Sequence, residues 1–148
     1  MKAIEVRMID LKPMTSDEAK ENGYAIFDYH KNTAGYELTY PNMFKEWIPK
    51  SQINKRFFTL MNENGNTITR DDVLRFIRDI DAQTINDKTA LVDSKLITNY
   101  NIVETSSCVD PKNYDLELGK KYATEKVVNK VWDYLGFVLQ WAKDGLKY

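Results

Sequence analysis

The chain is poor in the residue types from which most site chemistry is built. It has one cysteine, Cys108, and one histidine, His30, in 148 residues. A lone cysteine excludes an intramolecular disulfide and a thiolate metal cluster, and it suits a reducing compartment. One histidine and one cysteine far apart in sequence do not begin a transition-metal site. His30 follows a tyrosine-rich segment and precedes a turn, with no second histidine and no serine or cysteine nucleophile motif. It reads as a surface residue. There is no glycine-rich phosphate loop. Carboxylate pairs of the glycosidase kind stay open, because the spacing that matters for them is spatial. The expectation is a protein that is not an enzyme and uses no cofactor or metal.

No sign of charge dominates either. Lysine and arginine number 21 against 22 aspartates and glutamates, for a net charge of −1. Binders of nucleic-acid polymers usually carry a basic surplus that displaces counterions from phosphates, so such a partner is not expected. No apolar run approaches the roughly 20 residues that span a bilayer. The first residues alternate charged and apolar side chains and form no signal-peptide core. A cytoplasmic protein with no membrane partner is the reading. What the chain does have is 43% hydrophobic residues. That is enough for one core, or for two small modules.

The pattern of these residues predicts an α+β chain. Residues 2–10 alternate as a strand, broken by Lys12-Pro13 and by a short helical turn that Thr15 or Ser16 caps and Gly23 ends. Tyr24 to Tyr29, Tyr36 to Tyr40 and Phe44 to Ile48 read as further strands of an antiparallel β-meander. Pro41 and Asn42 form one of its turns. A helix follows from Pro49-Lys50 to about Met61, then a polar linker over residues 62–66. The expected modules are residues 1–63 and 64–148. Thr69 and Asp72 resemble a capping box that opens a helix to Ile80, with Val73, Phe76, Ile77 and Ile80 on one face. Residues 89–97 and 100–108 make a hairpin about Thr98-Asn99. A two-residue loop there places Lys95 opposite Ile102, and Ala90, Val92, Ser94 and Leu96 beside Asn101, Val103, Thr105 and Ser107.

The hairpin leads into a long helix from Pro111 to Asp144, with Asp110 as its cap and Gly145 as its stop. Beyond residue 125 its polar positions form one narrow stripe. The apolar arc is about twice the 100° of an ordinary surface helix, so the helix needs protein on two sides. Leaving its tryptophans and Phe137 in water costs several kcal/mol at about 25 cal/mol per Å². A homo-oligomer joined through residues 127–142 is expected.

Several segments of the second half carry a resemblance. They are Asp87-Lys-Thr89, Glu104-Thr-Ser-Ser-Cys-Val-Asp-Pro-Lys-Asn-Tyr114, Glu117 with Gly119, and Lys130-Val-Trp-Asp-Tyr-Leu-Gly-Phe-Val-Leu-Gln140. Over residues 82–142 the chain resembles a family of small tailed-phage and prophage gene products. Thr98-Asn99 stands where that family often has Asn-Gly. The first half resembles a second phage module through Gly35-Tyr36, Tyr40-Pro41, Trp47, Pro49-Lys50 and Phe57, with Asn42-Met43 where Asp-Gly is usual. Similar modules precede more than one kind of downstream domain, including one related to the anti-Thoeris proteins, which hold a cyclic nucleotide immune signal without cleaving it.

The resemblance implies a phage counter-defence protein of the sponge type, for cyclic ADP-ribose or a cyclic oligonucleotide. Such a sponge needs phosphate donors, aromatic platforms for bases and shelter from water. Arg75 and Arg78 lie off the apolar face of the 70–80 helix, as a phosphate clamp or as a solvated face paired with nearby aspartates. Lys95 is a ligand contact or half of a cross-strand ion pair. Tyr100, at the hairpin tip, is a base platform or a surface aromatic. Ser106, Ser107 and Asn113 border the start of the long helix, as anion donors or as a capped helix end. Successive strand residues face opposite ways, so Ser106 and Ser107 reach one ligand only across a bulge. The alternatives are an adaptor that binds a host protein through its N-terminal module, and a DNA-associated factor, which the charge disfavours.

Overall fold

Two β-meanders, each with helices attached, make up the chain, which is α+β as expected. The computed structural model describes residues 1–27 and 30–148. It divides into two compact units, residues 1–60 with 139–148, and residues 61–138.

In the first unit the strands are β1 (Asp10–Thr15), β2 (Ala34–Thr39) and β3 (Lys45–Pro49), antiparallel in that order. The expected strand over residues 2–10 lies instead at Asp10–Thr15 and contains Pro13. An edge strand tolerates proline, because alternate residues turn their N–H away from the neighbouring strand. Thr15 caps α1 (Ser16–Glu21) through a full capping box with Glu18, and Gly23 follows at φ +85. No strand forms over Tyr24–Phe27, and the last two residues of that expected strand, 28 and 29, lie outside the described residues. At the β2–β3 turn the left-handed residue is Met43 (φ 65) rather than Asn42, whose Oδ1 accepts from the Phe44 N–H at 3.1 Å.

The helix after β3, α2 (Lys50–Arg56), ends five residues before Met61 because Phe57 turns extended. Ile53 and Phe57 then both reach the core of Leu38, Tyr40 and Ile48. Trp47 ties the sheet together. Its indole N–H donates to the Met14 carbonyl at 2.9 Å, and its ring lies over Gly35.

In the second unit Thr69 and Asp72 form the expected capping box of α3 (Arg70–Phe76). The helix stops there, and residues 77–85 are strand β4 (Ile77–Ile85), not the last turn of a helix to Ile80. Their apolar residues fit either period, and pairing with β5 (Thr89–Leu96) decides for strand. Asn86 and Asp87, both at positive φ, turn the chain between the two. β6 (Asn101–Ser107) completes the sheet, with β5 central.

The β5–β6 register is shifted by one from the expected one, so Lys95 faces Asn101 and Ser94 faces Ile102. The cause is a three-residue loop, Ile97-Thr98-Asn99, in which Asn99 takes φ 65 and its N–H donates to the Leu96 carbonyl. Such a loop adds one residue beyond the two-residue hairpin and exchanges the faces of one strand. Ala90, Val92, Ser94 and Leu96 are buried as expected, but Ile102 joins them and Val103 points to solvent at 52% exposure.

Asp110 caps a 3₁₀ turn, Pro111–Asn113, rather than the long helix. The long helix, α4 (Leu116–Asp144), starts after Asp115, whose carboxylate accepts the Leu118 N–H at 2.9 Å. Gly145, at φ +65, stops it as expected. Gly119, Ala123, Val127, Val128, Val131 and Leu135 form its buried face. A methyl on Gly119 would stand 2.6 Å from the Ala90 Cβ, so this glycine sets how closely α4 meets the sheet. Lys126 reaches the Thr105 carbonyl at 2.7 Å, and Lys130 pairs with Glu104. Under this helix the Ser94 hydroxyl is buried and has no hydrogen-bond partner among the described residues, at a cost of roughly 1–3 kcal/mol.

Candidate functional site

The tip of the β5–β6 hairpin presents two different surfaces, and the local sequence builds both. The Leu96 N–H donates to the Tyr100 carbonyl at 2.9 Å, which closes the loop. The Ile97 N–H donates to the Phe76 carbonyl at 3.0 Å, which ties the tip to the end of α3. Arg78 sits at the register shift in β4, where the ladder skips a residue. Its guanidinium donates to Asp79 at 2.7 Å and to the Asn99 side chain at 2.9 Å.

On the outer face of the sheet lies a polar concavity of about 540 Å³ that includes Arg78, Asp79, Asp81, Asp93, Lys95 and Asn101. Asp79, Lys95 and Asn101 line up across the three strands, and Asp81 stands directly opposite Asp93. Facing carboxylates repel. Asn101 offsets part of this by donating to Asp93 at 3.1 Å. Three carboxylates against two cations leave a net negative charge, which opposes a phosphate.

On the inner side an apolar concavity of about 410 Å³ is lined by Phe76, Leu96, Thr98, Tyr100, Tyr134, Leu135 and Val138. Tyr100 and Tyr134 meet edge to face, with centroids 6.2 Å apart, and both are largely exposed, at 57% and 41%. Lys130 stands near these rings. Its hydrogen bond with Glu104 holds its pKa above the usual lysine value, with smaller contributions from Tyr134 and Tyr100.

The expected site residues do not converge. Arg78 and Lys95 share the outer concavity, while Tyr100 belongs to the inner one. Arg75 is on α3, its guanidinium 2.6 Å from the buried carboxylate of Asp72, so Arg75 and Arg78 do not share a helix face. The β5–β6 register runs without a bulge, so Ser106 and Ser107 point to opposite faces. Ser107 pairs with the Thr89 hydroxyl at 2.8 Å. Asn113 is exposed on the 3₁₀ turn, where its N–H donates to the Asp110 carbonyl. Phe76 stands on the packing face expected of its helix, and the hairpin register brings Tyr100 beside it and beside Tyr134 of α4.

In the first unit two carboxylates are held between a phenol and a cation. Glu37 accepts from Tyr24 at 2.6 Å and from Lys45 at 3.1 Å, and the Tyr24 pKa is pushed up to about 12, chiefly by that hydrogen bond. Glu46 accepts from Arg56 at 2.7 Å and from Tyr40, and Arg56 above all holds its pKa down. These are braces of the meander. Among the described residues no group of His, Cys, Asp and Glu side chains could hold a metal ion, and no helix is long and apolar enough to cross a membrane.

The model of a family described as the Phage protein (N4 Gp49/phage Sf6 gene 66) family matches residues 68–142. No curated protein and no solved structure matches the chain.

Proposed function

The chain belongs to that phage-protein family, and on this premise we propose that it acts by capture, holding a cyclic nucleotide signal of the host's defence without breaking a bond in it. The observation that carries the reading is the aromatic concavity beside Tyr100 and Tyr134. Its size falls within the range of small-ligand sites, and a base can stack on either exposed ring. Phosphate groups then project toward the tip, around which the Arg78 guanidinium reaches from the outer face of the sheet to the Asn99 side chain. Arg78 must exchange Asp79 for the ligand, which makes it the tuning residue for affinity. The acidic outer concavity is not the phosphate site in this reading.

Thermal melting against cyclic di- and trinucleotides and cyclic ADP-ribose isomers tests it. A ligand at a hundred times its dissociation constant adds about 2.7 kcal/mol, a rise of about 11–22 °C for a unit of this size. Tyr100→Ala should remove the shift. If no compound on the panel moves the transition, the nucleotide reading fails.

A second reading has its own observation. Phe27, Met43 and Phe44 are exposed at 92%, 74% and 59%, the last two at the β2–β3 turn. An adaptor that docks a host protein through the N-terminal module would use them, giving co-purification of one host protein and no nucleotide shift.

A further inference from the structure

The outward face of α4 carries a seam with a period of its own. Leu118, Tyr122, Glu125, Asn129, Trp132 and Gly136 recur at alternating steps of four and three, which is heptad spacing. All six are exposed, Leu118 at 49%, Tyr122 at 55% and Trp132 at 39%. The face that packs on the sheet lies on the other side of the helix, through Val127, Val131 and Leu135. Gly136 has no role in packing within the subunit, since a methyl added there meets nothing within 4 Å. Glycine in mid-helix costs about 1 kcal/mol relative to alanine, and a notch for another backbone or side chain offsets that cost.

We propose that this seam joins two copies of the chain, running antiparallel about a two-fold axis at the level of Val127. That axis seats Leu118 in the Gly136 notch of the other copy, sets Tyr122 against Trp132, and brings Glu125 to Asn129. Each layer is complementary: a large side chain meets a gap, two aromatic rings meet, and a carboxylate meets an amide that donates to it. Glu125 arrives with its charge compensated, because Arg70 already pairs with it at 2.7 Å. Sliding the helices by one heptad in either direction loses this match. One shift puts Leu118 on Asn129 and Tyr122 on Glu125; the other puts Trp132 on Asn129 and Glu125 on Gly136. Self-complementarity in a single register is what a two-fold interface requires. The seam begins nearer the N-terminus of the helix than the segment 127–142 expected from composition, and it stands apart from the nucleotide reading.

Sedimentation equilibrium on the full chain tests it, with circular dichroism as the check on folding. The wild-type chain should be a dimer at micromolar concentration. Trp132→Glu should raise the dimer dissociation constant about thirtyfold or more, the size of an interface hot spot. Gly136→Leu, which has open space in the isolated subunit, should weaken the dimer similarly with helix content unchanged. If Trp132→Glu disturbs the fold, Gly136→Leu decides alone. A wild-type monomer at tens of micromolar would overturn the proposal. So would a dimer that Gly136→Leu leaves intact.

Discussion

Asp72→Ala should destabilise the 61–138 unit by about 3 kcal/mol, read from urea unfolding, because it removes a buried carboxylate that accepts four hydrogen bonds. The Asp72 side chain is fully buried and organises the start of α3. One oxygen accepts from the Thr69 N–H at 2.9 Å and the Thr69 hydroxyl at 2.7 Å. The other accepts from the Met61 N–H at 2.9 Å and the Arg75 guanidinium at 2.6 Å. Alanine removes this acceptor from all four donors at once, whereas Asp72→Asn keeps one acceptor and should lose less. The same geometry fixes a pH dependence. Burial pushes the Asp72 pKa up, but the bonds from Thr69, Met61 and Arg75 outweigh it and hold the pKa below the ordinary aspartate value. A depressed folded-state pKa means that this stabilisation is complete above the unfolded value near 3.9 and fades as pH falls through the folded value. The Asp72→Ala deficit should therefore shrink below about pH 4. A loss under about 1 kcal/mol at neutral pH would contradict this account of the cap.

Gly35→Ala should cost about 3 kcal/mol in the first unit, from overpacking rather than from backbone conformation. Gly35 is not among the glycines at positive φ, so conformational freedom is not the reason for it. A methyl there would lie 2.4 Å from Trp47 Cζ2 and 2.6 Å from the Ile48 carbonyl oxygen. Neither neighbour can give way easily. The carbonyl belongs to the strand ladder, and the indole is pinned by its bond to Met14. Combining Gly35→Ala with Trp47→Ala should give a loss smaller than the sum of the two, because the second change removes the ring clash and leaves only that with the Ile48 carbonyl. Strict additivity of the two losses would show that the ring and the glycine do not interact.

Local chemistry was legible in the sequence at several caps and turns, though not at Asp110, which caps a 3₁₀ turn, or at Asn42, where Met43 takes the left-handed position. The Thr15 and Thr69 caps, the polar turn ending at Gly65 and the Gly145 stop all stand where the residues indicate. Sequence reading failed where two periods compete or where one residue shifts a pairing. Residues 77–80 satisfy a helical face and a strand equally, and only β5 alongside settles which. At the hairpin tip, Asn99 rather than a Thr98-Asn99 pair supplies the left-handed position, and that single step moves Ile102 inward and Lys95 opposite Asn101. The candidate site depended on both errors. Arg78 was separated from Arg75 by the end of the helix, and Tyr100 gained Tyr134 and Phe76 as neighbours through the true register. The placing of Asp79 opposite Lys95 rests on the β4–β5 register and its shift at Arg78, which no local residue pattern announces.

Capture without cleavage is most directly tested by recovering the ligand. The purified protein is incubated with the nucleotide that gives the largest melting shift, freed of unbound ligand and then heat-denatured, and the supernatant is chromatographed. The account predicts one chemically intact nucleotide per functional site. A linearised or hydrolysed product in the supernatant would contradict it.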